Sequence, residues 1–87
     1  MVNTVILTGH YVSLKKNTMT ISITITNNNV DPYDILIPTI ISNSLLKYVK
    51  EYIANGDIVG IKGYLDIKHN HLICIVEKIT FLSSKKD

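Results

Sequence analysis

Polar and apolar residues alternate without a break between residues 18 and 26. Side chains of a β-strand point to opposite faces with a period of two, so this pattern predicts one strand with two distinct faces. One face is apolar and buried in the core, and the other is exposed, uncharged and rich in hydroxyl groups. The apolar face comprises Met19, Ile21, Ile23 and Ile25, and the hydroxyl face comprises Thr18, Thr20, Ser22, Thr24 and Thr26.

Two further strands are predicted in the first half of the chain. Residues 3–12 form the first strand, and a polar turn at residues 15–17 leads into the alternating second strand. After an asparagine-rich break, residues 33–37 form the third. Because proline cannot donate to a ladder, this strand ends at Pro38 or places it at an edge or bulge.

The second half of the chain reads as a β-hairpin. Residues 58–68 and 72–82 predict the fourth and fifth strands, joined by a tight turn at His69 and Asn70. The alternation slips at Glu77-Lys78, which indicates a β-bulge.

Between these halves the apolar residues recur at helical spacing. Residues 42–55 predict one helix of about three turns, whose apolar positions include Leu45 and Val49. Ser42, Asn43 or Ser44 can cap its start, and Asn55-Gly56 ends it.

The order of three strands, one helix and two strands is that of the OB-fold. This mainly β fold is a five-stranded Greek-key barrel with the helix between strands 3 and 4, and its members commonly bind oligonucleotides or oligosaccharides. We expect one domain over residues 1–82 and a short flexible tail over residues 83–87. Five further residues are expected to point into the barrel: Val59, Ile61, Leu65, Ile67 and Phe81.

Composition is consistent with a globular chain. Of the 87 residues, 46% are hydrophobic and 18% charged. The net charge is +2, and the sequence contains lysine but no arginine. This excess permits binding to a polyanion without requiring it. Without a signal peptide or a long apolar run, we expect a cytoplasmic protein with no membrane partner. Cys74 is expected to be a small buried hydrophobe.

Catalysis has little support in the sequence. The chain contains neither a nucleophile motif nor a phosphate-binding glycine loop. His69 and His71 flank a predicted turn, and two histidines do not complete a zinc site. We therefore expect no enzyme, no cofactor and no metal site.

A nucleic-acid site requires cations for phosphates and flat side chains for bases. The even positions of the fourth strand are predicted to face outward, which favours Lys62, Tyr64 and Lys68, although Asp66 lies on the same face. Tyr48 and Tyr52 are expected to pack the helix. The complete set of candidate contacts is Tyr33, Lys62, Tyr64, Lys68, Lys15, Lys16 and Tyr11, with core packing an equal alternative for the tyrosines.

Three segments resemble the bacterial single-stranded DNA-binding protein (SSB) family. They are Asn3-Thr4-Val5-Ile6-Leu7-Thr8-Gly9, the helix-to-strand passage at residues 52–65, and Val76-Glu77-Lys78-Ile79-Thr80-Phe81-Leu82. The resemblance implies an OB-fold that binds single-stranded DNA with little sequence preference and assembles as a homo-dimer or homo-tetramer. It places a stacking aromatic at Tyr33 and a basic residue at Lys68.

Departures from the family pattern are also clear. The chain has no tryptophan, and the family's other stacking positions fall on non-aromatic residues near 27–30, Thr39 and Asn70. Residues 83–87 do not match the family's acidic tail, so we expect a short variant without that tail. Since each stacked base contributes about 1–3 kcal/mol, this composition predicts weak binding.

The alternative is an accessory replication module that mainly binds other replication proteins. This alternative resembles primosomal replication protein N, which is SSB-like and lacks the acidic tail. In either case the apolar stretches at residues 35–37 and 72–76 exceed what one barrel interior can bury, and they favour association between copies.

Overall fold

Five strands and one helix make up residues 3–27 and 29–84, the part of the chain that the computed structural model describes. The strands close into a barrel in the order β1-β2-β3-β5-β4, which confirms the predicted fold class. The elements are β1 (Val5–Lys15), β2 (Thr18–Ile25), β3 (Tyr33–Ile40), α1 (Asn43–Tyr52), β4 (Ile58–Lys68) and β5 (His71–Ser83).

Closure of the barrel depends on two unlike strand pairings. The first half of β1 pairs antiparallel with β4, and its second half pairs with β2, so that His10 has partners on both sides. At the other seam, β3 and β5 are parallel and pair only where Thr39 meets Cys74 and Ile40 meets Ile75. The β2–β3 and β4–β5 pairs are thus connected through the length of β1 on one side and through only two residue pairs between β3 and β5 on the other.

The predicted apolar face of β2 fills the barrel. Met19 and Ile21 are fully buried, whereas Ile23 is half-buried and packs against this core. The expectation that Cys74 is a buried hydrophobe is confirmed. Among the described residues, Thr39 and Asp57 are the buried polar ones, and the Thr39 hydroxyl donates a hydrogen bond of 2.8 Å to the carbonyl oxygen of Met19.

Two glycines face this interior where neighbouring backbones approach closely. A Cβ on Gly9 would lie 2.5 Å from the carbonyl oxygen of Ser22, at the point where β1 passes from β4 to β2. A Cβ on Gly63 would lie 2.0 Å from the carbonyl oxygen of Ile75. Gly63 adjoins a β-bulge; the bulge predicted at Glu77-Lys78 is confirmed, and the strand register leaves Glu77 as the extra residue.

The helix α1 covers one end of the barrel. Its cap is Ser42, whose hydroxyl accepts a hydrogen bond from the amide of Leu45, and Val49 is its buried residue. The helix ends at Tyr52, three residues earlier than predicted, because Ile53 is already extended and buried in the core. A turn containing Gly56, at φ 94°, then leads into β4.

Strand β3 continues past Pro38 to Ile40, and Pro38 lies on the stretch of its edge that β5 leaves unpaired, which is one of the two predicted placements. Three predicted interior positions are wrong. Leu65 and Ile67 were expected in the interior, but they are 40% and 69% exposed. They lie on the part of the β4–β5 hairpin that projects beyond the barrel. Phe81, also expected in the core, is 39% exposed beside α1.

The two ends of the barrel differ in their loops. The β2–β3 connection and the β4–β5 turn lie at one end, since β3 and β5 start there and run parallel. At the other end lie α1 and the β1–β2 turn, which Asn17 fixes by donating hydrogen bonds to Ile41 and Asn43. Within residues 3–27 and 29–84, no helix is long and apolar enough to cross a membrane.

Strand β5 includes Ser83, one residue beyond the predicted domain boundary, and residues 85–87 of the predicted tail lie outside the described residues.

Candidate nucleic-acid interface

The outward face of β4 holds the predicted site residues closest together. Val59 and Ile61 point into the core, which places Lys62, Tyr64 and Lys68 on the outer face, as the alternation predicted. Lys62 and Lys68 are exposed, and Tyr64 is half-buried. Asp66 lies between Tyr64 and Lys68, so this stripe contains both signs of charge.

Tyr64 also belongs to a row of outward residues that crosses the sheet. It pairs with Ile75, Ile75 with Ile40, Ile40 with Thr18, and Thr18 with Lys15. The row therefore has an aromatic ring at one end and a cation at the other, with two isoleucines and one threonine between them. Bases and sugars can lie on apolar and aromatic surface while a lysine contacts a phosphate.

Tyr33 and Lys68 lie at the loop end of the barrel. Tyr33 begins β3, pairs with Ile25 and is 50% exposed. Lys68 pairs with His71 at the end of the β4–β5 hairpin. The turn from Lys68 to His71 is tight, because His69 and Asn70 both adopt positive φ, at 52° and 64°.

Lys15 and Lys16 lie at the opposite end, near α1. Lys16 occupies the left-handed region with φ 56°, in the turn that joins β1 to β2. The structure thus places Lys15 and Lys16 at the end of the barrel opposite to Lys68. Of these two lysines, only Lys15 lies in the same row as Tyr64.

Tyr11 is placed differently from the other tyrosines. It packs against the core, and burial raises the pKa of its hydroxyl above the usual value. Its backbone is held by hydrogen bonds to Asp57 and Gly56. This packing does not favour a role for its ring as a stacking platform.

The hydroxyl face of β2 lacks cations. Neither β2 nor β3 contains a lysine, and the Thr24 hydroxyl donates a 2.6 Å hydrogen bond to the carboxylate of Asp34. Asp34 and Asp66 add negative charge to the outward surface of the barrel. A phosphate would be repelled by these carboxylates, so the positive potential must come from other strands.

Such a positive region exists on β4 and β5, and of its two lysines sequence reasoning missed Lys78. Lys62 pairs directly with Lys78, and both are exposed. The bulge at Glu77 sets this pairing, because the extra residue returns Lys78 to the outer face. The slip in alternation was visible in the sequence, but the identity of the cross-strand partner was not.

A concavity lies beside α1. Tyr48, Tyr52 and Phe81 line a cavity of about 250 Å³, and the rings of Tyr48 and Tyr52 are 5.3 Å apart at 40°. Tyr48 packs on the core as predicted, whereas Tyr52 is 64% exposed. Within the described residues, no three histidine, cysteine, aspartate or glutamate side chains are grouped to hold a metal ion.

Comparison with solved structures places this barrel among OB-folds. The mitochondrial single-stranded DNA-binding protein Rim1 of S. cerevisiae is similar over 97% of each chain, with 15% identity and a TM-score of 0.71. PriB from Ralstonia solanacearum is similar over 93% of this chain and 98% of its own, with 15% identity and a TM-score of 0.72.

The SSB of Plasmodium falciparum, solved in complex with single-stranded DNA, is similar over 95% of this chain and 96% of its own. Its identity is 13% and its TM-score 0.65. No protein-family profile matches the sequence, and no curated protein sequence matches it either. The chain therefore shares its fold with these proteins.

Proposed function

We propose that this protein is a non-catalytic single-stranded DNA-binding protein that acts in DNA replication, recombination or repair. The observation that carries the proposal is the outward stripe of β4, where Lys62 and Tyr64 lie two residues apart on an OB barrel. Support comes from the solved structures with the same fold, two of which are single-stranded DNA-binding proteins.

Binding would use two kinds of contact. Lys62, Lys68 and Lys15 contact phosphates, which makes the affinity dependent on salt and independent of sequence. Tyr64 and Tyr33 offer ring surface to bases, and stacking tolerates any base because every base has a π-face. Lys16 would add charge at the helix end of the barrel.

The test is fluorescence anisotropy of a labelled oligo-dT at several KCl concentrations, compared with a duplex of equal length. We expect single strands to bind more tightly, and Tyr33→Ala to weaken binding by about 5- to 150-fold, the equivalent of one stacked base. Tyr52→Ala is the matched control, because Tyr52 is an exposed tyrosine at the opposite end of the barrel. No binding to oligo-dT at low salt would refute the proposal.

A second candidate function is favoured by the outward surface of β3. Leu36 is 64% exposed there, and its outward neighbours along the strand are Asp34 and Pro38. Such a surface suits a protein partner better than a phosphate backbone. An accessory module that docks on replication proteins would retain those proteins in a pull-down after nuclease treatment, and loss of all of them would exclude this candidate.

We also propose that the protein forms a homo-dimer or homo-tetramer. Leu36, Ile67 and Leu72 are exposed by more than half, and a small barrel gains stability when copies cover such residues. Sedimentation at micromolar concentration tests this proposal. A single monomeric species would contradict it.

A further inference from the structure

The groove on the outer surface of β1, β4 and β5 has an unusual arrangement of charge. Here β4 lies between the other two strands, so that one row reads Ile6, Lys62, Lys78 and the next reads Thr8, Gly60, Thr80. The groove has a volume of about 300 Å³. Its floor is Gly60, which has no side chain to fill the space between the two threonines.

Two lysines directly opposite each other destabilise a sheet, because like charges at this spacing repel. The only carboxylate of β5 is Glu77, the bulged residue next to Lys78. An anion bound between the lysines would remove the repulsion.

The threonines supply the second half of an anion site. Thr8 and Thr80 are exposed on either side of Gly60, and no hydrogen bond from the described residues occupies either hydroxyl. In contrast, the hydroxyls of Thr24 and Thr39 already donate within the protein. Lysine and threonine side chains are typical partners of the phosphate oxygens of nucleic acids.

We propose that this groove binds a backbone phosphate of single-stranded DNA through Lys62, Lys78, Thr8 and Thr80. The inference rests on the proposed function and adds to it three residues and a defined phosphate site. Continuity favours DNA over an acidic protein segment, because Tyr64 follows Lys62 on the same outward face, about 7 Å further along β4. A strand held at Gly60 could therefore continue to a base stacked on Tyr64.

The charge pattern also argues against a second copy of this chain in the groove. A symmetric contact on this surface would bring two lysine pairs toward each other, and like charges at an interface are costly. The apolar flanks, Ile6 and Leu82, are 74% and 51% exposed and would instead contact sugars or bases.

The experiment measures how the affinity for a labelled oligo-dT depends on KCl. Each phosphate contact on a single strand contributes about 0.7 to the slope of log K against log salt. We expect Lys78→Gln to reduce the magnitude of this negative slope by about 0.7, and the double variant Lys62→Gln with Lys78→Gln to reduce it by about 1.4. The control is Lys47→Gln, an equal charge change on an exposed helix position outside the groove, which should leave the slope unchanged.

A second pair of variants places a new side chain on the floor. Gly60→Glu and Gly60→Gln differ only in charge, and a Cβ at this position meets nothing closer than 3.6 Å. Both should fold, as circular dichroism would show, and Gly60→Glu should weaken binding at least tenfold more than Gly60→Gln.

Lysine acetylation then identifies what covers the groove. We expect oligo-dT to protect Lys62 and Lys78 but not Lys47. If wild type binds oligo-dT but Lys78→Gln keeps its slope, the groove is not a phosphate site, while the proposed function stands. If polyglutamate but not oligo-dT protects Lys62 and Lys78 from acetylation, the groove binds an acidic protein. If both lysines are already protected without any ligand, a second copy of the chain covers the groove. Either result overturns the inference. Absence of any binding by wild type would refute both proposals.

Discussion

Replacing Gly63 by alanine tests the account of how β4 and β5 fit together. The new Cβ would lie 2.0 Å from the carbonyl oxygen of Ile75, whereas real Cβ contacts essentially never fall below 3.0 Å. The obstacle is backbone, so no side chain can move aside. The two strands must therefore separate by at least about 1 Å at this point.

Such a separation is enough to break neighbouring interstrand hydrogen bonds. If two bonds are lost and their groups stay buried, at about 1–3 kcal/mol each, the cost is about 2–6 kcal/mol. A domain of this size has a free energy of unfolding of about 4–13 kcal/mol. Gly63→Ala should therefore remove a large part of the stability or prevent folding.

The assay is urea unfolding followed by far-UV circular dichroism, with Gly60→Ala as the matched control. Gly60 lies on the same strand, and its Cβ would make only an ordinary contact of 3.6 Å with Leu82. Gly60→Ala should be neutral or stabilising by up to about 1 kcal/mol, because alanine restricts the unfolded chain. A loss of less than about 1 kcal/mol for Gly63→Ala would refute the reasoning.

Two further predictions concern pH and the hairpin turn. Burial raises the pKa of the Cys74 thiol and of the Tyr11 hydroxyl, so both groups ionise more readily in the unfolded chain. The stabilising contribution of these two neutral groups should be fully present below their unfolded pKa values, near 9 and 10, and should decrease as the pH rises above them. In thermal melts recorded from pH 8 to 11, the double variant Cys74→Val with Tyr11→Phe should lose less stability than the wild type. In the turn, His69→Asn with Asn70→Gly should raise the melting temperature by a few degrees, because Asn-Gly suits two successive residues at positive φ. An unchanged or lower melting temperature would contradict the turn assignment.

The fold was predictable because its periodic signals are local. The alternation over β2 and the change of period at Leu45 and Val49 are features of consecutive residues, and both are confirmed. The point at which a strand leaves the barrel is not local. Leu65 and Ile67 keep the inward alternation although the barrel has ended, so their exposure could not be read from the pattern.

The candidate site was less predictable for a related reason. The outward direction of Lys62 and Tyr64 followed from alternation, but the partner of Lys62 depends on the register between β4 and β5, which a bulge in β5 shifts by one residue. A one-residue shift would have placed another residue opposite it. The same limit applies to Phe81, which a bulged residue at Leu82 and the nearby helix leave partly exposed.

The brief parallel pairing of β3 with β5 has a consequence for motion. Since these strands meet only at Thr39 with Cys74 and Ile40 with Ile75, the ladder there is the shortest of the barrel. Local opening of a protein starts where the fewest hydrogen bonds must break. The barrel should therefore open locally between β3 and β5. Such opening would separate the β2–β3 hairpin from the β4–β5 hairpin while each hairpin stays folded.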